Sequence, residues 1–244
     1  MTTPARSSAQ PTPARSSAQP TPARSSAQPT PARSSAQPTP AASPRRKAKS
    51  DRRSQLVAAA ERLFAEHGYL AVRLEDIGAA AGISGPAIYR HFPNKEALLV
   101  ELLVGISTRL LAGATEVANE TEDADHALAA LIDFHLDFAL GESDLIRIQD
   151  RDLGNLPAAA KRQVRRKQRQ YVEIWVHVLR RRDPELTESD ARLMAHGTFG
   201  LLNSTAHSMK PGATRTAEVN SRTVLREMTV AALTSASSVT KRRD

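Results

Sequence analysis

Ser84, Tyr89, Arg90, His91 and Lys95 stand within a dozen residues of one another, and each can hydrogen-bond to an oxygen of another molecule. Ser84 offers a hydroxyl to a base edge, and the other four offer donors to phosphate oxygens. Gly85, Pro86 and Ala87 between them are small, so a backbone can come close to base edges, and Ala87 can meet a thymine methyl. This set suits binding to duplex nucleic acid. Turnover chemistry lacks its parts: no GxSxG, HExxH, P-loop or GxGxxG occurs. The 7 His show no i, i+4 pair for a metal, so no metal site and no bound cofactor are expected. Asp150 and Asp152 fall on different faces of a helix and make no carboxylate pair. With 0 Cys, disulfide scaffolds, thiolate zinc sites and thiol catalysis are excluded, and the content fits a reducing compartment. The chain reads as a binding protein, not an enzyme.

The elements that must hold these residues are helical. Leu56, Val57, Ala60, Leu63 and Phe64 repeat at helical spacing, predicting a helix over 50–67 stopped by Gly68. Leu74, Ile77 and Ala81 mark a second, short helix, ended by Gly82, where a tight turn needs positive φ. Ser84 then suits an N-cap and Pro86 a first turn, giving a third helix over 84–91. Phe92-Pro93 breaks it, and Asn94 caps a fourth helix that buries Leu98, Leu99, Leu102, Leu103 and Ile106. Helix, short helix, glycine turn, short helix is a helix-turn-helix, whose second motif helix enters the major groove.

Charge is uneven along the 244 residues. Residues 1–49 hold 8 of the 34 Lys and Arg and no acid, while the remainder carries 26 basic against 26 acidic groups. PARSSAQPT repeats four times over 4–39 with nothing apolar larger than Ala, so it cannot offset its ordering entropy and is expected to be disordered. Arg45-Arg46-Lys47-Ala48-Lys49 reads either as a solvated linker or as an arm along phosphates or in a minor groove. Apolar stretches such as Ala97–Ile106 are interrupted by Glu101 and fall short of the roughly 20 residues of a membrane span, so no membrane partner is expected.

The run from Leu74 to Leu98 resembles the DNA-binding signature of TetR-family transcriptional regulators. The Asp76-Ile77 pair, the Ala81-Gly82-Ile83-Ser84 turn, Tyr89-x-His91-Phe92 and Lys95-Glu96-x-Leu98 carry the resemblance. It implies a regulator contacting an operator through Arg73, Ser84, Gly85, Pro86, Ala87, Tyr89, Arg90, His91 and Lys95. Arg73 stands where the family usually has a Ser or Thr cap, so either another group caps that helix or Arg73 reaches a phosphate. Pro86-Ala87 replaces a common Gly-Thr, which thins direct base hydrogen bonding.

Helical spacing continues over 125–140, in a short helix before Gly154, and over 158–182, 187–209 and 215–234. The fold class is therefore all-α: a disordered basic arm (1–49), a helix-turn-helix DNA-binding domain (50–97), a helical ligand-binding and dimerisation bundle (98–236) and a tail (237–244). Ala191, Ala195, Phe199, Leu202, Ala206 and Met209 form a near-heptad stripe, which suits either the protomer's core or a partner. The resemblance favours a homodimer, with Ala195, Phe199, Leu202, Ala206, Val224 and Met228 at its interface. It also implies a small-molecule effector, and Phe134, His135, Phe138, Tyr171 and Trp175 are the largest side chains placed to line a pocket between helices. The basic run Lys161-Arg162, Arg165-Arg166-Lys167 and Arg169 reads as a solvated face or as a partner for an anionic effector such as an acyl-CoA. Segments 148–156 and 170–175 resemble an actinobacterial branch of the family linked to acyl-CoA or branched-chain catabolism. The expected function is a ligand-responsive transcriptional repressor, cytoplasmic and nucleoid-associated. The alternative is a sequence-neutral architectural DNA-binding protein that uses its basic arm.

Overall fold

The computed structural model describes residues 44–207 and 215–240. The repeat arm up to residue 43, Met209 of the apolar stripe and the end of the tail lie outside the described residues. Among those described, secondary structure is helical throughout: α1 Pro44–His67, α2 Leu74–Ala80, α3 Gly85–Ile88, α4 Lys95–Asn119, α5 Ala124–Gly141, α6 Ser143–Asp152, α7 Ala158–Arg182, α8 Glu188–Asn203 and α9 Arg215–Thr240.

Local chemistry explains most of the boundaries. The Asn94 carboxamide accepts from Ala97 N–H at 2.8 Å and opens α4. Gly82 turns at φ 65°, a conformation costly for any residue with a Cβ, and Ile83 N–H then donates back to Gly78 C=O at 2.8 Å. Other boundaries differ from the sequence reading. α1 begins at Pro44, so the basic cluster at 45–49 is helix backbone, not linker. α5 begins at Ala124, one residue before the expected 125, and is capped by Asp123, its carboxylate accepting from Asp125 and His126 N–H. α8 ends at Asn203 and passes into a 3-10 turn, Ser204–His207, which breaks the near-heptad stripe.

Two cores form. The first joins the DNA-binding module to the start of the bundle: Leu56, Phe64, Ile77, Ile88, Phe92, Leu98, Leu99 and Leu103 are fully buried together, with Leu145, Ile148 and Val164 from α6 and α7. The second lies within α4, α5, α7, α8 and α9, around Leu131, Ile132, Leu136 and Trp175. α4 serves both cores, which is why it is longer and more apolar than Ala97–Ile106 alone suggested. By length and composition it would pass as a membrane span, yet Leu98 to Ala118 pack against α1, α5 and α7 as a bundle helix does.

Candidate functional site

The helix-turn-helix surface is built outward from Ile77, Ile88 and Phe92, all fully buried. With those side chains turned inward, Ser84, Pro86, Tyr89 and Arg90 are left exposed on α3 and the turns after it. Ser84 stands at the N-cap in extended conformation and its hydroxyl makes no capping bond. Beside Gly85 the space is open, and Ala87 is half-buried. The Tyr89 hydroxyl donates to Glu75, which holds that carboxyl below its usual range and the phenol above its own. Tyr89 is thus oriented by a neighbour on α2. Arg73 is exposed at the N-cap of α2; its side chain has no acceptor and makes no capping bond, and Asp76 makes only the reciprocal bond, accepting from Arg73 N–H at 2.9 Å.

A groove beside α3 is lined by Ala48, Lys49, Arg52, Arg90 and His91. It brings two cations of α1, Lys49 and Arg52, together with Arg90 of the turn after α3, a combination the sequence reading did not assemble because Arg52 lies far from Arg90 in the chain. His91 is only half-buried, but its carbonyl accepts from Arg53 Nη1 at 2.7 Å, and Arg53 in turn lies over the Phe92 ring and pairs with Glu101. Lys95 departs from its expected place. Its ammonium donates to Tyr69 C=O at 2.7 Å and Val72 C=O at 2.8 Å and sits 4.3 Å from the Tyr69 ring centroid. Lys95 therefore fixes the loop before α2 instead of facing outward.

The second site is a half-open cavity of about 260 Å3 between α4, α5, α6, α7 and α8. Of the expected residues, His135, Phe138 and Tyr171 line it. Phe134 and Trp175 do not. Phe134 packs on α4 at Gly113, where a Cβ would stand 2.5 Å from the ring, and Trp175 is fully buried behind the lining. Phe199, expected at a dimer interface, instead lines the cavity with its ring centroid 5.2 Å from those of His135 and Trp175. Ala195 and Leu202 are buried in the bundle core, and Ala206 packs with Ala139 and Ile146, so none of the three lies on an open face. Val224 and Met228 are half-exposed on α9. Of the two readings of the stripe, Ala191, Ala195, Phe199 and Leu202 take the inward one: they pack into the protomer's own core.

His135 is the hub of the cavity's polar wall. Its Nε2 donates to Asn203 Oδ1 at 3.1 Å, and its Nδ1 accepts from the Tyr171 hydroxyl at 2.8 Å. Burial pushes the imidazole down to about 4, against the Asn203 bond that favours protonation, and burial raises the Tyr171 phenol. Both are therefore neutral at pH 7. Lys167 supplies a positive charge to the lining, and among the described residues no carboxylate joins it. Sequence spacing missed Asn203 and Gln168. The signal available was a polar residue on the buried side of an amphipathic helix.

Comparison with known proteins places these features in a family. Residues 56–102 match the bacterial regulatory proteins of the tetR family, and residues 121–228 match the tetracyclin repressor-like C-terminal domain. The HTH-type transcriptional regulator CymR of Pseudomonas putida is 32% identical over 146 residues, covering 56% of this chain and 71% of CymR. The chain belongs to the TetR family. It is thereby a helix-turn-helix regulator. The HTH-type transcriptional activator FasR of Mycolicibacterium smegmatis is 31% identical over 103 residues, or 42% of this chain, and the match spans about half of that relative, 47%. AibR, solved with isovaleryl coenzyme A and operator DNA, shares the fold at TM-score 0.62 and 17% identity, over 72% of this chain and 97% of AibR.

In this TetR-family chain the two sites meet at α6. Ile146 and Gln149 line the cavity. At the other end of the same helix, Arg151 donates to the Phe64 carbonyl at the end of α1, and the buried Asp152 carboxylate accepts from Tyr69 N–H at 3.4 Å and from Arg151 Nη2 at 3.0 Å. The loop between α1 and α2 is thus held by α6 on one side and by Lys95 of α4 on the other.

Proposed function

We propose that the chain is a homodimeric repressor that reads duplex DNA through α3 and lets go when a small molecule fills the bundle cavity. The surface of α3 carries this reading: small and hydroxyl-bearing residues at its N-terminal end stand exposed over a fully buried Ile77, Ile88 and Phe92. Ser84, Gly85, Pro86 and Ala87 face base edges, while Arg73, Tyr89 and Arg90 meet phosphates, joined by Lys49 and Arg52. His91 positions this edge through Arg53, and Lys95 acts through the loop it holds. Two copies are needed for two half-sites. Val224 and Met228, exposed about one turn apart on one side of α9, are the apolar surface through which they pair. Regulation, not turnover, is the role, and the protein works in the cytoplasm at the nucleoid.

For the effector, an acyl-CoA is supported by AibR's bound ligand and by the exposed Arg162, Arg165, Arg166 and Arg169 on α7, the helix that also brings Lys167 to the cavity. That chemistry agrees with the catabolic branch suggested by segments 148–156 and 170–175. Release requires that the effector prefer the form that cannot grip DNA; equal affinity for both forms would shift nothing. Selection of bound duplexes from a random library with the purified protein tests the reading. A two-fold symmetric motif is expected, protected in footprints over both half-sites. Enrichment of no motif, with binding that vanishes on deleting residues 1–49, would instead indicate the sequence-neutral architectural role.

A further inference from the structure

We infer that the cavity selects a compact organic anion whose apolar body carries a second oxygen function, held by Asn203 and Tyr171, with the anionic end drawn by Lys167. This rests on the cavity being the effector site and narrows what that effector is. Size comes first. A cavity of about 150 Å3 holds benzene, so about 260 Å3 accommodates roughly ten non-hydrogen atoms. An intact CoA thioester is several times larger and can place only its acyl part inside. A long saturated chain likewise places only part of its length inside.

Polarity comes second. Phe138 and Phe199 give the cavity an aromatic lining suited to an apolar body. The wall that includes Asn203 and Tyr171 is not apolar. Asn203 uses its carbonyl oxygen on His135, and its amide N–H groups have no hydrogen bond within the described residues. The Tyr171 oxygen gives its proton to His135 and carries two lone pairs, of which the Trp175 indole N–H takes at most one, leaving one for another donor. His135 does not meet the ligand as an acid: both its nitrogens are engaged, and burial keeps it neutral at pH 7. It positions the other two. A pure hydrocarbon body would strip water from Asn203 and Tyr171 and return nothing, whereas a hydroxyl or keto oxygen would pair with them. Charge comes third. Lys167 is the cavity's permanent cation and no acid offsets it there, so an anion is favoured over a cation.

The shared chemistry can arrive as a free carboxylate or as a CoA thioester with its phosphates outside, and calorimetry with the full-length protein separates the two. Octanoate, 3-hydroxyoctanoate, 8-hydroxyoctanoate and hexadecanoate form one arm; octanoyl-CoA and 3-hydroxyoctanoyl-CoA form the other. At least one hydroxylated compound is expected to bind about tenfold or more tightly than its plain counterpart. Asn203→Leu is expected to erase that preference, and Lys167→Gln to weaken every acid that binds. Hexadecanoate is expected to bind more weakly than octanoate. Equal affinity of plain and hydroxylated chains, tighter binding of hexadecanoate than of octanoate, or binding of none of the six overturns the inference. Gel shifts on the selected operator with the same compounds keep the two readings apart. Hydroxylated ligands that bind without releasing DNA leave the ligand class standing and remove the effector role. Release by plain and hydroxylated chains alike does the reverse.

Discussion

Lys95 carries its charge inward, onto the carbonyls of Tyr69 and Val72, while Arg90 five residues earlier carries its charge outward into the groove shared with Lys49 and Arg52. The two should fail differently. Lys95→Met leaves those carbonyls short of a charged donor and is expected to lower stability by roughly 1–2 kcal/mol, seen as a drop in Tm. Its operator affinity should weaken with the slope of log affinity against log salt unchanged. Arg90→Gln should leave Tm alone and reduce that slope by about one. The opposite pattern in a salt titration would place Lys95 on phosphate. His135 gives a third test. Its folded pKa, about 4, lies below the ordinary value of 6.5 because burial disfavours the cation. The unfolded chain therefore binds the proton more readily. Stability from this group is complete above about pH 6.5 and is lost as pH falls toward 4, by roughly 3 kcal/mol. Denaturant midpoints at pH 7.0 and 4.5 should show that loss, and His135→Gln should shrink it.

At the scale of elements, α6 is short but connects everything that matters. Its Ile146 and Gln149 touch the cavity, and its Arg151 and Asp152 hold the end of α1 and the loop leading to α2. Arg151→Met is expected to raise amide hydrogen exchange across residues 64–72 while Leu98 to Ile106 of α4 stay protected. Unchanged exchange over 64–72 would show that the loop is held by Lys95 alone. Much of this layout was legible beforehand. Gly82 and Asn94 declare the turn and the cap, and the spacing of Leu98, Leu99, Leu102, Leu103 and Ile106 declares the start of α4, because these signals are local. What stayed hidden was non-local. Nothing near Lys95 in the chain announces that the carbonyls of residues 69–72 will take its charge, and nothing near Arg151 announces the end of α1. Phe199 read as one more member of a stripe on α8. Its place beside His135 depends on where α5 and α7 put their own rings.

For the whole molecule, the decisive question is how one four-residue helix specifies a site. α3 offers few hydrogen-bonding side chains to base edges, so a single copy cannot distinguish an operator from the surrounding genome by more than a few base pairs. Doubling the contact through a two-fold axis multiplies the discrimination, provided the two copies are held at a fixed spacing. In the proposed dimer α9 does this. α9 is tied to α5 by Arg222 and Arg226 on Asp133, with Leu225 and Leu233 turned into the bundle. That anchorage leaves Val224 53% and Met228 50% exposed, about one turn apart on one side of α9. Val224→Glu puts a charge into that face without disturbing the protomer's own core. The helical content and the protomer's calorimetric enthalpy should therefore survive. In sedimentation the variant should run as a monomer where the parent runs as a dimer. Operator affinity should fall about a hundredfold or more, and the salt slope should fall toward half, since each monomer meets one set of phosphates. A variant that stays dimeric and binds the operator as the parent does would show that the two-fold axis passes elsewhere.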